Sequence, residues 1–439
     1  MIKTNQTRTK FRKLLAFLFP VQAGVPDNLR SNIRHLIWDI GWFGLLNGTT
    51  LSFMTIYAAR IGANTNQIGL ITAMPAVINL VLALPVGSWL KNRPIDKSVF
   101  WSGVGQRLFY FLMIFLPWLL SDNLQVWVLI LFTLLMSIPG AAIAVGFNAL
   151  FAAAIPARYR GVVAGRRNAV FAITSIVSTL VCGQILTVLP FPFSYQVVFA
   201  IGFVGALMSV VHLKFVHPVT DEYEAEIKTP TINFDELKQK SKGIFTKVWI
   251  NIQRKLHFEI LRGSFAWSLG LLTFFHMVHF LSIPIFPIFT VNVLGLTDST
   301  LSLGNALFYL TMFFGSTQVG KLSNLMGNKK LTGIGICMLG LYPAFLSFAQ
   351  GPFLFYLASF LGGFAWSLVN SAMINYLLEK VPQSERTRYL AWFIVGANAA
   401  ILVGTLIGPV IGNFIGLTIA LLLFGILRTI AGLALLKWG

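Results

Sequence analysis

The sequence predicts an all-α polytopic membrane protein of twelve membrane-spanning helices, arranged as two parallel six-helix repeats. Three observations carry this expectation. The 439 residues are 56% hydrophobic and only 11% charged, with a mean hydropathy of +0.76. Soluble domains carry about a quarter charged residues, so the apolar surplus here must face lipid. The basic residues cluster in every second connection, and the two halves of the chain share a set of landmarks.

Each element follows from the breaks set by Gly, Pro, Asn and charged clusters. A bilayer is crossed by roughly twenty apolar residues. The expected spans are 34–60, 66–90, 98–120, 124–154, 162–189 and 194–215 in the first half. In the second half they are 263–292, 297–322, 330–349, 353–379, 387–412 and 414–436. Residues 1–33 form a basic arm. It imitates a secretion signal, but its apolar core (Leu14 to Phe19) is shorter than the roughly 7–15 residues such signals use. The spans divide into bundles at 34–215 and 263–439, joined by an interruption at 216–262. That interruption begins acidic and then turns periodic. Phe234, Leu237, Ile244, Val248, Ile252 and Leu256 alternate with Lys238, Lys240, Lys242, Lys247, Arg254 and Lys255. This is the pattern of a basic amphipathic helix on a membrane surface, within a tether rather than a catalytic domain.

Charge fixes the expected topology. With alternating spans and both termini on one side, all of the 33 Lys and Arg except Arg60 fall on that side. The positive-inside rule makes it the cytoplasm, in a cell's plasma membrane. The net charge of +19 is thereby explained without nucleic acid. Cys182 and Cys337 lie in apolar runs and imply neither a disulfide frame nor a metal cluster.

The halves repeat at offsets of about 230 residues. Trp38-x-x-Gly41 returns as Trp267-x-x-Gly270, and Gly62 as Gly295. Gly87 returns as Gly320, and Ile155-Pro156 with Arg160 as Val381-Pro382 with Arg386. An even number of spans separates the copies, so both have one orientation. Such parallel repeats surround a cavity on an axis normal to the membrane.

On these residues the chain resembles the major facilitator superfamily. The second copy of the family's connecting-loop pattern is Gly320, Asn324, Gly327, Lys329 and Lys330, with Asn324 where the family has Asp. The first copy is Gly87, Lys91 and Arg93, with Lys91 at the Asp position and Asp96 as a nearby substitute. The role expected is a tight, anchored turn. Gly404-x-x-x-Gly408-Pro409-x-x-Gly412 resembles a pattern of the family's drug/proton antiporters, but in span 11 rather than span 5. Close helix packing is the favoured account of it.

Asp39 is the carboxylate clearly within a span, so it is the proton-coupling candidate. A structural ion pair with Arg107 or Arg166 is the equal alternative. Helical spacing puts Asp39, Phe43, Asn47 and Thr50 on one face, with Trp42 adjacent. His276 and His279 share a face of span 7, before breaks at Pro284 and Pro287. Asn148 in span 4, and Trp366 and Asn370 in span 10, complete the expected cavity set, because the resemblance implies that spans 1, 4, 7 and 10 line the cavity. Each of these polar groups has interhelical hydrogen bonding as its alternative. A metal at the two histidines is disfavoured, since no carboxylate or cysteine lies near them in sequence.

The expected function is secondary transport of a small neutral or amphipathic solute by alternating access, with proton-coupled efflux as one form. No cofactor is expected, and the molecule is expected to be a monomer in the bilayer. The alternative is a receptor or lipid-translocating protein on the same fold. An enzyme is disfavoured, because no phosphate loop, Ser/His/Asp set or paired membrane carboxylates occur.

Overall fold

The computed structural model describes residues 27–91, 93–219, 260–382 and 386–439. The basic arm and the amphipathic stretch of the tether lie outside these residues. Among the described residues every regular element is helical.

Span 1 runs as Asp27–Leu46, a π turn at Asn47–Leu51 and Ser52–Arg60. Span 2 is Thr65–Lys91 and span 3 is Ile95–Met113, prolonged by the short helix Leu116–Leu119. Spans 4, 5 and 6 are Asp122–Ala154, Ala157–Val188 and Phe193–Leu213. Span 7 is Gly263–Ser282, a short helix Ile285–Ile288 and a π turn Phe289–Val293. Spans 8 and 9 form one run, Asp298–Ser347, folded back at Gly327. Its φ of 81° there is open to glycine and strained for other residues. Spans 10, 11 and 12 are Pro352–Leu378, Arg386–Ile415 and Leu417–Trp438.

Nine of the described helices are long and apolar enough to cross a membrane. One of them supplies both spans 8 and 9. Spans 1 and 3 are not among them: span 1 carries Arg30, Arg34, Asp39 and Asn47, and span 3 carries Asp96, Lys97 and Arg107. A polar side chain in a membrane helix is tolerated where it faces protein. The repeat is visible in the backbone. Gly62 and Gly295 both turn the chain at positive φ, 90° and 60°, after spans 1 and 7.

The halves meet along span 5 against span 8 and span 2 against span 11. We call the face bearing the C-terminus and the tether the terminal face, and the opposite one the distal face. Near the distal face a single apolar core runs through both halves. It contains Phe53 and Tyr57 of span 1, Tyr195 and Phe199 of span 6, Leu281, Ile285 and Phe289 of span 7, and Phe424 of span 12. Toward the terminal face the cores are separate. One holds Leu36, Leu90, Ile95, Leu150 and Leu213; the other holds Phe265, Leu269, Val369, Tyr376 and Leu435. Among the described residues the apolar core is thus shared between the halves at one end and divided at the other.

Gly404 and Gly408 account for the span 11 pattern. A Cβ there would lie 2.5 Å from the Met277 carbonyl oxygen and 2.0 Å from that of Leu281. The small residues let span 11 close on span 7, as the packing account expects.

Candidate functional site

Two polar groups lie deep in the first half, and one lies in the second. Asp39 is buried at 4% exposure. Its Oδ2 is 3.2 Å from Arg167 Nη1, and its Oδ1 accepts a hydrogen bond of 2.7 Å from Ser209 Oγ. Arg167 also donates to the Leu36 carbonyl at 2.8 Å. Its guanidinium lies over the rings of Phe147 and Phe151 in span 4, at 4.6 and 5.9 Å. The ion-pair partner is therefore Arg167 rather than Arg166, which is one residue earlier and points elsewhere. Arg107 is buried and within electrostatic reach of Asp39, and it donates to Gln106. One carboxylate thus sits among two guanidiniums.

Asn47 lies two turns deeper. Its amide donates to Ser175 Oγ at 3.2 Å and to the Tyr309 hydroxyl at 2.8 Å. The second bond crosses from span 1 to span 8 and so ties the two halves together. Phe43 stacks on Phe171, whose ring meets the edge of Tyr309 at 6.3 Å. Thr50 does not join this group. The π turn at Asn47–Leu51 rotates the chain less per residue than an α-helix does, and Thr50 is buried against span 6, where a Cβ on Gly202 would lie 2.0 Å from its Oγ1. Trp42 is half-buried, and its indole N–H has no hydrogen-bond partner among the described residues.

In the second half, His276 is held to its own helix by a 2.8 Å contact from Nδ1 to the Leu272 carbonyl, with its ring edge-on to Phe393 of span 11. His279 stacks on Trp366 of span 10, centroids 5.2 Å apart and 19° from parallel. His279 thus meets span 10 at Trp366, whereas His276 meets span 11 at Phe393. Asn370 is exposed one turn from Trp366, and Asn148 is exposed and bonded only to the Ala144 carbonyl of its own helix. Neither meets the Asn47 group. No set of three or more His, Cys, Asp or Glu among the described residues could hold a metal ion.

Arg428 is a correction to the charge reading. The loop bias assigns it to the terminal face, yet it lies midway along span 12 at 1% exposure. It donates to the Leu339 carbonyl at 3.0 Å, the His279 carbonyl at 2.9 Å and Ser282 Oγ. The acceptors cluster where span 7 ends at Ser282, ahead of the proline break. The guanidinium replaces donors that the broken helix lacks.

The first connecting loop is anchored through Arg93 and Asp96, both expected there, and the second through a residue outside the pattern, Asn328. Arg93 lies over the Trp89 ring at 5.0 Å. Gly87 ends span 2 with open space around it, and the Lys91 side chain lies outside the described residues. Asp96 pairs with His217 at 3.2 Å, beyond span 6. In the second copy Gly320 has open space, Asn324 and Lys330 are exposed, and Lys329 is half-buried. The tie is made by Asn328, which accepts from Ser323 at 2.7 Å and donates to Glu379 of span 10 at 2.6 Å. On the distal face Arg60 meets Asp298 at 3.1 Å and donates to the Leu296 carbonyl, while Tyr195 donates to the same carboxylate at 2.8 Å.

The family model described as Major Facilitator Superfamily matches residues 41–281 and 269–439. No curated protein sequence matches the chain. Among solved structures, the nucleoside transporter NupG superposes with a TM-score of 0.61 at 14% identity, covering 94% of this chain and 100% of that one. A mutant of NupG gives 0.67 at 12% identity, with 93% and 100% covered. A D-xylose-proton symporter gives 0.67 at 16% identity, with 94% and 97% covered. Identities this low establish a shared fold and no more.

Proposed function

The chain belongs to the major facilitator superfamily, and we propose that it is a secondary transporter. In this reading it carries a small neutral solute across the plasma membrane by alternating access, with proton linkage through Asp39. The observation that carries the proposal is the asymmetry between the two ends. A shared apolar core closes the distal end, whereas toward the terminal end each half has its own core. Two bundles related in this way form a gate, and rocking them would exchange its open end. The excess of basic residues along the terminal face supports a cytoplasmic placement of that face.

The polar groups support a neutral cargo. Asn47, Ser175 and Tyr309 meet between the halves and carry no charge, while the buried ions are occupied with one another or with carbonyl groups. Amide, hydroxyl and aromatic groups suit a solute rich in hydroxyls or a planar heterocycle. Uridine and D-xylose are therefore the probes. Proton linkage is supported by the isolation of Asp39 from water beside Arg167 and Ser209. Protonating the carboxylate would remove the ion pair with Arg167 and so link proton binding to the packing of span 1 on span 5. The span 11 glycines are engaged in packing and lend no support to efflux.

The test is flux of labelled uridine and D-xylose in proteoliposomes, with an imposed pH gradient of either sense. We expect gradient-driven accumulation that Asp39→Asn abolishes, with counterflow exchange intact. The sense that drives accumulation assigns uptake or efflux. Accumulation that ignores the gradient would sink the proton linkage.

A further inference from the structure

A pair of histidines lies directly between Asp39 and the terminal face. His35 is four residues before Asp39 on span 1, and His212 is three residues after Ser209 on span 6, so each is one turn toward the terminal face from a member of the Asp39–Ser209 contact. Their Nδ1 atoms are 2.9 Å apart. Both rings are half-buried and held from the sides. Phe215 stacks on His35 at 4.9 Å, and Trp38 stacks on His212 at 6.1 Å. His217 continues the series outward. It is exposed and contacts Asp96. Exposure therefore falls stepwise from His217, through the histidine pair, to the buried carboxylate.

We propose that His35 and His212 form a proton relay between water at the terminal face and Asp39. The inference rests on the proton-linked reading of Asp39 given above.

The chemistry follows from the contact. Two imidazoles can share an Nδ1–Nδ1 hydrogen bond only when one proton lies between them, so one ring donates and the other accepts. In the relay His35 starts as the donor, with its proton on Nδ1 and a lone pair on Nε2, and His212 starts as the acceptor, with its proton on Nε2. A proton from water adds to His35 Nε2. The Nδ1 proton crosses to His212 Nδ1, and His212 releases its Nε2 proton toward the Asp39 carboxylate. One proton has moved inward, both rings are neutral again, and their tautomers have exchanged. The order of the rings follows from their electrostatic neighbours. His35 feels Arg34, His212 and His217, whereas His212 feels Asp39 and Arg34. Arg107 of span 3 and Arg167 of span 5 face Asp39 from the other side. A merely structural pair would need neither a titrating partner nor a position beside a buried carboxylate.

The experiment uses purified full-length protein and a rapid step from alkaline to mildly acidic buffer. Protonation of Asp39 is read as growth of its infrared carboxyl band, assigned by its loss in Asp39→Asn. His35→Gln and His212→Gln keep a polar side chain that cannot pass a proton. In each we expect the band to grow about tenfold more slowly or worse, to the same final amplitude, with speed restored by 4-methylimidazole. An unchanged rate in both variants, with the band still absent from Asp39→Asn, would overturn the relay and leave Asp39 as the coupling group. A band that survives Asp39→Asn would remove both the coupling reading and the relay. Two variants on different helices guard against one failing to fold.

Discussion

Removing the carboxylate of Asp298 should open the distal face. Arg60 bonds to it through Nη2 at 3.1 Å and Nε at 3.3 Å, and Tyr195 adds a third bond at 2.8 Å. All three cross between the halves, since Arg60 and Tyr195 belong to the first and Asp298 to the second. The ion-pair side chains are 25% and 16% exposed. Water therefore screens them only in part, and the contact exceeds the ~0–1 kcal/mol of a surface pair. Charge-assisted bonds contribute about 1.5–3 kcal/mol net. We take about 2 kcal/mol for the set, which is about 30-fold in the ratio of open to closed molecules. The reporter is Ser302→Cys in a background with Cys182→Ser and Cys337→Ser. Ser302 is buried at 1% where span 8 meets span 5, donating to the Thr179 carbonyl at 2.5 Å. A maleimide should react with the new thiol about 30-fold faster once Asp298→Ala is added. Arg60→Ala should give much of the same gain, with little added when the two are combined. An increase below about threefold in both variants would refute the latch, because the bonds would then be worth under about 0.7 kcal/mol.

Tyr309→Phe removes the cross-half bond to Asn47, and in the same alkylation assay it should raise reactivity about fivefold, the equivalent of one neutral hydrogen bond of about 1 kcal/mol. Gly363→Ala should lower the thermal midpoint of the purified protein. Its Cβ would sit 2.1 Å from the Phe308 carbonyl oxygen, so spans 8 and 10 must part at a cost of about 1–3 kcal/mol. Arg428→Lys should destabilise by about 2 kcal/mol in denaturant titration, because a single ammonium cannot reach acceptors on spans 7 and 9 together as the planar fork does.

The span pattern was legible because hydropathy and basic loop bias both follow from the bilayer, and each limits the other. The repeat was legible in Gly62 and Gly295, whose positive φ reserves them for glycine. The placement of the candidate side chains was legible where one helix sufficed. Asp39 stood out as a deep carboxylate, and the spacing of His276 and His279 implied a shared face. What remained hidden was set by partners distant in sequence. Arg167 and Arg166 are adjacent in one basic run, and only the rotation of span 5 selects between them. Tyr309 lies in an aromatic run and reads as packing until Asn47 is placed opposite. Thr50 was misplaced because a π turn interrupts the periodicity on which the face was drawn. Arg428 carried a visible signal, a cation eleven residues into a 22-residue apolar helix, that loop counting absorbed.

Arg428 also bears on how the molecule is made. An arginine at the centre of a membrane helix raises the cost of insertion by about 2.5–3.5 kcal/mol, which the leucines and isoleucines of span 12 can offset. Its guanidinium would nevertheless face hydrocarbon until the carbonyls of Leu339 and His279 are at hand. Those acceptors belong to spans 7 and 9, which leave the ribosome earlier. Span 12 therefore enters a half whose receiving groups are already synthesised, and its arrival completes the broken end of span 7.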